Sequence, residues 1–102
     1  MTILDGPSSQ GKLTNVGTGT AVEVKVGGSA LSDRQVVTIQ PVSQDIKVYF
    51  AGDGEVPSAA TVAANGFDQV KKTKESYEAG FQQKIYIVSS TGTTDVIVAE
   101  RS

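Results

Sequence analysis

QVVTIQPVSQDIKVYF at residues 35–50 and IYIVSSTGTTDVIVA at residues 85–99 decide the fold, because each predicts a strand, a turn and a second strand. We call these stretches the first unit and the second unit. Asp45-Ile46-Lys47-Val48 aligns with Asp95-Val96-Ile97-Val98, 50 positions later. We interpret the two units as paired hairpins of one β-sandwich, which account for most of the ordered chain.

Further strand signals occupy the rest of the chain. Residues 22–26 alternate valine with a charged residue, which predicts a half-buried strand, and the run at residues 85–88 is apolar enough for burial on both faces. Residues 67–77 fit either a helix or two short strands, and their thin apolar stripe favours strands with a turn near Lys71–Lys74. We predict a loop over residues 55–66, with at most a brief helix at residues 59–64. Seven or eight short strands in ~100 residues predict an all-β fold, a small antiparallel β-sandwich or jelly-roll-like domain at residues 21–102.

Residues 1–20 are rich in Gly, Ser and Thr and have weak periodicity. We predict an extended N-terminal arm there, with room for a short strand from Lys12 to Val16. Such a segment becomes ordered when something binds it. Ile3 and Leu4 lie near its start, and we predict that they dock on a neighbouring subunit; the alternative is a frayed terminus.

Composition removes most catalytic chemistry. The chain has 102 residues, which suits one domain, and it contains no Cys and no His. It therefore lacks a thiolate nucleophile, the commonest general base and the commonest transition-metal ligand. A carboxylate- or lysine-based enzyme remains compatible with the composition. The only tight acidic cluster, Asp53-Gly54-Glu55, lacks the further oxygen ligands of a calcium loop and predicts a glycine turn. We predict no catalytic residues, no metal site, no cofactor and no enzyme activity.

Charge and hydropathy exclude two classes of partner. The net charge of −2 and the pI near 4.9 predict no nucleic-acid binding. The basic cluster at Lys71, Lys72 and Lys74 is offset by Glu75 and Glu78, which is typical of a solvated face. No apolar run approaches the ~18 residues of a membrane span, and the start of the chain has no signal-peptide pattern. We therefore expect synthesis in a cytosol and no membrane association.

The aromatic residues favour packing over ligand stacking. A base-stacking platform pairs aromatic rings with a basic groove, and the sequence offers no such groove. The rings alternate with aliphatic residues instead, which predicts core positions for them. The residues concerned are Tyr49, Phe50, Tyr77, Phe81 and Tyr86.

Part of the sequence resembles a known class of proteins. EAGFQQKIYIV at residues 78–88 and TGTTDVIVAE at residues 91–100 resemble the C-terminal end of small tailed-bacteriophage virion proteins. VYFAGDG at residues 48–54 and the following Gly66-Phe67 look similar to the middle of the same proteins. The resemblance covers residues 35–102 and implies a small β-sandwich or jelly-roll subunit on the particle. It supplies no catalytic residues.

From the resemblance we expect a virion structural protein, made in the host cytoplasm. The first expectation is a capsid decoration (cement) protein, a homo-oligomer that binds and stabilises the major capsid lattice. One alternative is a structural component of the neck or tail. Another is a receptor- or carbohydrate-binding β module, which needs a concave aromatic or acidic patch.

Overall fold

The structure is a computed structural model that describes residues 8–102. In that range the chain is mostly β, with one short helix, which confirms the predicted all-β fold. The elements in chain order are β1 (Ser8–Val16), β2 (Val22–Glu23), β3 (Val36–Pro41), β4 (Ile46–Phe50), α1 (Ala59–Asn65), β5 (Phe67–Gln69), β6 (Glu75–Glu78), β7 (Ile85–Ser89) and β8 (Thr94–Arg101).

Two four-stranded antiparallel sheets face each other. The first sheet has the order β1-β8-β3-β6 and the second has the order β2-β7-β4-β5. The pairs β1·β8, β2·β7, β3·β6 and β4·β5 are nested, as if the chain were first folded into one long hairpin. Pairing of β3 with β8 and of β4 with β7 then rolls that hairpin into two layers. This strand order is that of a jelly roll, so the fold is the predicted sandwich.

The interpretation of the two units as hairpins is wrong. β3 and β4 flank the first turn but lie in different sheets, and so do β7 and β8 around the second turn. Each unit crosses from one sheet to the other, and the units pair with each other: Ile39 lies opposite Val98, and Val48 opposite Ile87. The two crossings are joined, because the Thr94 hydroxyl accepts the Ser43 amide at 2.9 Å.

The predicted boundary between arm and domain, after residue 20, does not follow the sheets. Residues 8–16 form β1, which starts before the expected Lys12 and pairs with β8 from Ser8↔Arg101 to Leu13↔Val96. A register shift follows between Leu13 and Val16. The Gly- and Ser-rich composition conceals the strand because most of its residues face solvent, whereas Val16 is fully buried.

The main core lies between the sheets and is built of valine and isoleucine side chains together with Ala79. β7 is buried along its whole length, as predicted from its apolar run. Ile85 and Ile87 face the core between the sheets, while Tyr86 and Val88 form a second cluster with Val62 of α1. The helix therefore covers the outer surface of the second sheet.

The segments around residues 59–78 agree with their predicted structure. α1 is a brief helix of 7 residues, and the Ser58 hydroxyl caps it by accepting the Thr61 amide. β5 and β6 are the two short strands expected on either side of Lys71–Lys74, and they belong to different sheets. The Gln69 side chain bridges the sheets by donating to the Ile39 carbonyl at 2.8 Å.

Candidate interaction surfaces

The first sheet has an open, slightly concave surface that we call the outer face. It encloses a depression of about 410 Å³. Side chains from its four strands and the residue before β6 line it: Gln10, Thr38, Gln40, Lys74, Ser76, Ile97, Ala99 and Arg101. The strand registers explain this set, because Gln10, Thr38 and Ser76 are aligned in one row with Ala99. Residues in such a row point to the same side of the sheet.

The middle of the outer face is neutral and can form hydrogen bonds. The hydroxyl groups of Thr38 and Ser76 lie 2.9 Å apart, next to the short side chain of Ala99. The cations Lys74 and Arg101 lie at its margin, and no carboxylate belongs to its lining. Its centre therefore carries no charged side chain, a property that it shares with the centres of protein interfaces.

A second depression lies between the β4–α1 loop and the β6–β7 loop, and we call it the loop depression. Its volume is also about 410 Å³. Val56 at its edge is 80% exposed and Phe81 is 38% exposed. Its lining combines aromatic, acidic and amide side chains: Asp53, Gly54, Glu55, Val56, Phe81, Gln82, Lys84 and Tyr86.

Glu55 in the loop depression is already engaged within the chain. Its carboxylate accepts the Tyr49 hydroxyl at 3.0 and 2.9 Å and the Gly52 amide at 2.8 Å. The hydrogen bond to Glu55, together with burial and the Glu55 charge, raises the pKa of Tyr49 above 10.0. Gly54 has φ 75°, so the predicted glycine turn at Asp53-Gly54-Glu55 is confirmed. Within residues 8–102 no group of three His, Cys, Asp or Glu side chains is placed to hold a metal ion.

The aromatic residues are divided between core and surface. Tyr86 is buried beneath α1, as predicted, but Phe50 and Phe81 are exposed, so the core prediction is wrong for them. Phe50 packs edge-on against Tyr77, with ring centroids 5.6 Å apart. Lys84 lies over the Phe81 ring at 4.6 Å, which is cation–π geometry. Alternation with aliphatic residues did not predict which of these rings would be covered by other parts of the chain and which would remain exposed to solvent.

A buried ion pair holds the loops in place, and sequence reasoning missed it. The side chains of Arg34 and Glu100 are each 1% exposed and meet at 3.0 Å. Glu100 also accepts the amides of Val26 and Leu31, at 2.9 and 3.1 Å. The partners are 66 positions apart, so no local pattern links them.

Arg34 uses every N–H donor of its guanidinium. Besides Glu100 it donates to backbone carbonyls of two segments, Val24 after β2 and the β6–β7 loop with Ala79, Gly80 and Gln83. The bonds to Gly80 and Gln83 enclose Phe81, so this ion pair fixes the loop that forms one wall of the loop depression.

The predicted docking residues lie outside the part of the chain that the structure describes, whereas the basic cluster lies on its surface. Ile3 and Leu4 lie outside the described residues, and their docking stays a prediction. Lys71, Lys72 and Lys74 are exposed, which confirms the solvated face. Within residues 8–102 the structure has no helix with the length and apolar character needed to cross a membrane.

Comparisons with protein-family models, curated proteins and solved structures found no match to this chain.

Proposed function

We propose that the protein is a non-enzymatic structural component of a bacteriophage virion, a capsid decoration (cement) protein that binds and stabilises the major capsid lattice. Two features support the proposal besides the sequence resemblance. The jelly roll is a fold that viral capsid domains use. The outer face is the observation that carries the proposal, because it is an open sheet surface with a neutral, hydrogen-bonding centre.

The two sides of the sandwich differ in a way that fits one-sided attachment. α1 and its cluster with Tyr86 and Val88 cover the second sheet, while the first sheet keeps its surface open. A protein that binds through the first sheet would leave the helical side turned outward. Many copies on a lattice tolerate a weak single contact, because multivalency multiplies the effect of each one.

The test is co-sedimentation with cognate particles that lack this protein. Ala99→Arg and Thr38→Arg place a bulky charge in the centre of the outer face, and each should weaken binding at least about tenfold, since like-charge or unpaired-charge contacts cost several kcal/mol. Ala60→Arg, on the exposed side of α1, is the matched control and should bind as the natural chain does. Equal binding by all variants would refute the assignment to the outer face. If electron microscopy of labelled protein showed binding only at the neck or tail, the protein would be a component of that structure and not a capsid decoration protein.

The loop depression favours a second function, that of a receptor- or carbohydrate-binding module. Sugar sites combine apolar ring faces with a few polar groups, as Phe81, Asp53 and Gln82 do here. A glycan array is the direct test, with Phe81→Ala expected to abolish any signal and Phe67→Ala, an exposed ring on β5, expected to leave it unchanged. Absence of binding across a broad array would remove this alternative.

A further inference from the structure

The four edge strands of the sandwich differ greatly in length. β2, β5 and β6 have 2, 3 and 4 residues, whereas β1 has 9. β1 pairs with β8 on one side and with no strand of residues 8–102 on the other. An edge strand presents every second N–H and C=O group outward, and short length is one way in which proteins protect such edges. β1 is therefore the edge with the greatest capacity to bind another strand.

We propose that β1 binds β1 of a second copy of this chain, antiparallel and across a two-fold axis. The first sheets of the two copies then form one continuous sheet with the order β6-β3-β8-β1-β1-β8-β3-β6. The contact is isologous, so the same residues contribute from both copies.

The alternation of side chains along β1 restricts the register. Gln10 and Lys12 are exposed on the outer side, while Ser9, Gly11 and Leu13 are half-buried on the inner side. For the two sheets to continue with matching sides, the two-fold axis must be perpendicular to the sheet and pass midway between a residue and the same residue of the second copy.

Charge and length select the register centred on Gly11. Centring on Lys12 would place two ammonium groups directly opposite each other, which is unfavourable. Centring on Gln10 pairs only residues 8–12, and centring on Leu13 brings the register shift between Leu13 and Val16 into the contact. Centring on Gly11 pairs residues 8–14 and places Gln10 opposite Lys12 of the second copy.

A groove beside the strand provides apolar surface for the same contact. It lies between β1 and the β2 edge and has a volume of about 560 Å³. Leu13, Val22 and Val26 line it, and each is partly exposed although it packs against the main core. A second β1 strand placed along residues 8–14 would remove Leu13 from water. This inference does not depend on the proposed function, although a dimer would present two outer faces on one sheet.

Opposite charge changes at one position test the proposal and its register. Sedimentation of the natural chain over a range of concentrations should show a monomer–dimer equilibrium. Gln10→Glu places a carboxylate opposite Lys12 twice per dimer and should lower the dissociation constant several-fold. Gln10→Lys places like charges there and should give a monomer, while urea unfolding at low concentration reports that both variants are folded. A monomer at every concentration, or the same shift from both variants, would overturn the proposal.

Disulfide trapping checks the register independently, because the chain contains no cysteine of its own. In the Gly11-centred register, residue 10 of one copy lies opposite residue 12 of the other, within the usual ~4–7 Å Cα separation of a disulfide. The variants Gln10→Cys and Lys12→Cys therefore place two cysteines opposite each other when one copy carries each change. A mixture of the two variants should therefore form the mixed cross-link faster than either variant cross-links with itself. Equal rates in the three samples would refute the Gly11-centred register.

Discussion

Arg34 is the residue whose loss should destabilise the molecule most, because it joins Glu100 to two backbone segments, Val24 and the β6–β7 loop. Arg34→Met leaves the Glu100 carboxylate buried without its cation. Breaking a buried pair on one side costs about 3–5 kcal/mol. We expect a decrease of that size in the free energy of unfolding, measured by urea titration of the full chain.

The double variant Arg34→Met, Glu100→Leu separates the charge from its hydrogen bonds. Replacing both members of a buried pair is often neutral. Here it would also leave the amides of Val26 and Leu31 and several carbonyls without partners, so a loss of about 2 kcal/mol or more should remain. Full recovery in the double variant would contradict this role.

Asp68→Asn is the control for an exposed ion pair. It removes the partner of Lys47 and should lower the free energy of unfolding by less than about 1 kcal/mol in the same urea titration.

Tyr49 offers a pH-dependent test of the loop depression. Glu55 raises the pKa of Tyr49, so the folded state favours the neutral phenol. That contribution to stability is present below pH 10.0, the ordinary value, and is lost as the pH rises through the folded-state pKa. Glu55→Ala should lower the pKa of Tyr49 towards 10.0, measured by residue-resolved NMR titration.

Tyr77 is the internal control for the Tyr49 titration. Its pKa is also raised, but by burial and by Glu75 rather than by Glu55. It should therefore titrate at the same pH in the Glu55→Ala variant. A parallel decrease for both tyrosines would indicate a general loosening of the fold and not the loss of one hydrogen bond.

At the scale of elements, the junction of α1 with β4 depends on Gly66. A Cβ atom at this position would lie 2.6 Å from the Val62 carbonyl oxygen and 3.1 Å from that of Val48. Its φ is −75°, so the requirement is for space and not for backbone freedom. Gly66→Ala should cost about 1–3 kcal/mol in unfolding experiments, because backbone must move.

Gly28→Ala is the matched control for Gly66→Ala. No atom lies within 4 Å of the Cβ position at Gly28. The change should alter stability by less than about 1 kcal/mol, in the stabilising direction. If the two alanine variants were equally stable, close packing of α1 on β4 would not be the reason for glycine at position 66.

Individual elements could be predicted from the sequence where their own side chains are apolar enough to require burial. β7 was recognisable because Ile85, Tyr86 and Val88 need cover on both faces, and that cover exists. β1 was hard to recognise because burial of its other residues is at most partial up to Val16, so its hydrophobic signal is weak. The pairing of elements was not predictable, because alternation shows that a strand has an inner face but not which strand lies beside it.

The candidate surfaces were even less accessible to sequence reasoning. The outer face combines side chains from four strands that are distant along the chain, such as Gln10, Ser76 and Ala99. Only the register brings them together. The glycine turn at Asp53-Gly54-Glu55 was predicted, but the bond from Tyr49 to Glu55 was not, because it depends on how that turn folds back.

At the scale of the whole molecule, deleting β1 tests whether this segment is an integral strand of the sandwich or a dispensable arm. Deleting residues 1–16 removes the buried Val16 and the half-buried Leu13, each worth about 1.5–3 kcal/mol when fully buried, and leaves β8 as an edge. We expect a loss of about 3 kcal/mol or more and a tendency to aggregate, measured by urea unfolding and light scattering. Deleting only residues 1–7 keeps all β1–β8 pairing and is the control. A chain lacking residues 1–16 with unchanged stability would support the original arm interpretation.

The pairing of Ser8 with Arg101 brings two distant positions of the chain close enough to allow a circular permutation. Adjacent strands lie only ~5 Å apart, so a short linker can connect residue 102 to residue 8. New ends can then be opened at the exposed Gly27-Gly28 turn. In such a circular permutant the strands occur in a different order along the chain while both sheets keep their spatial order.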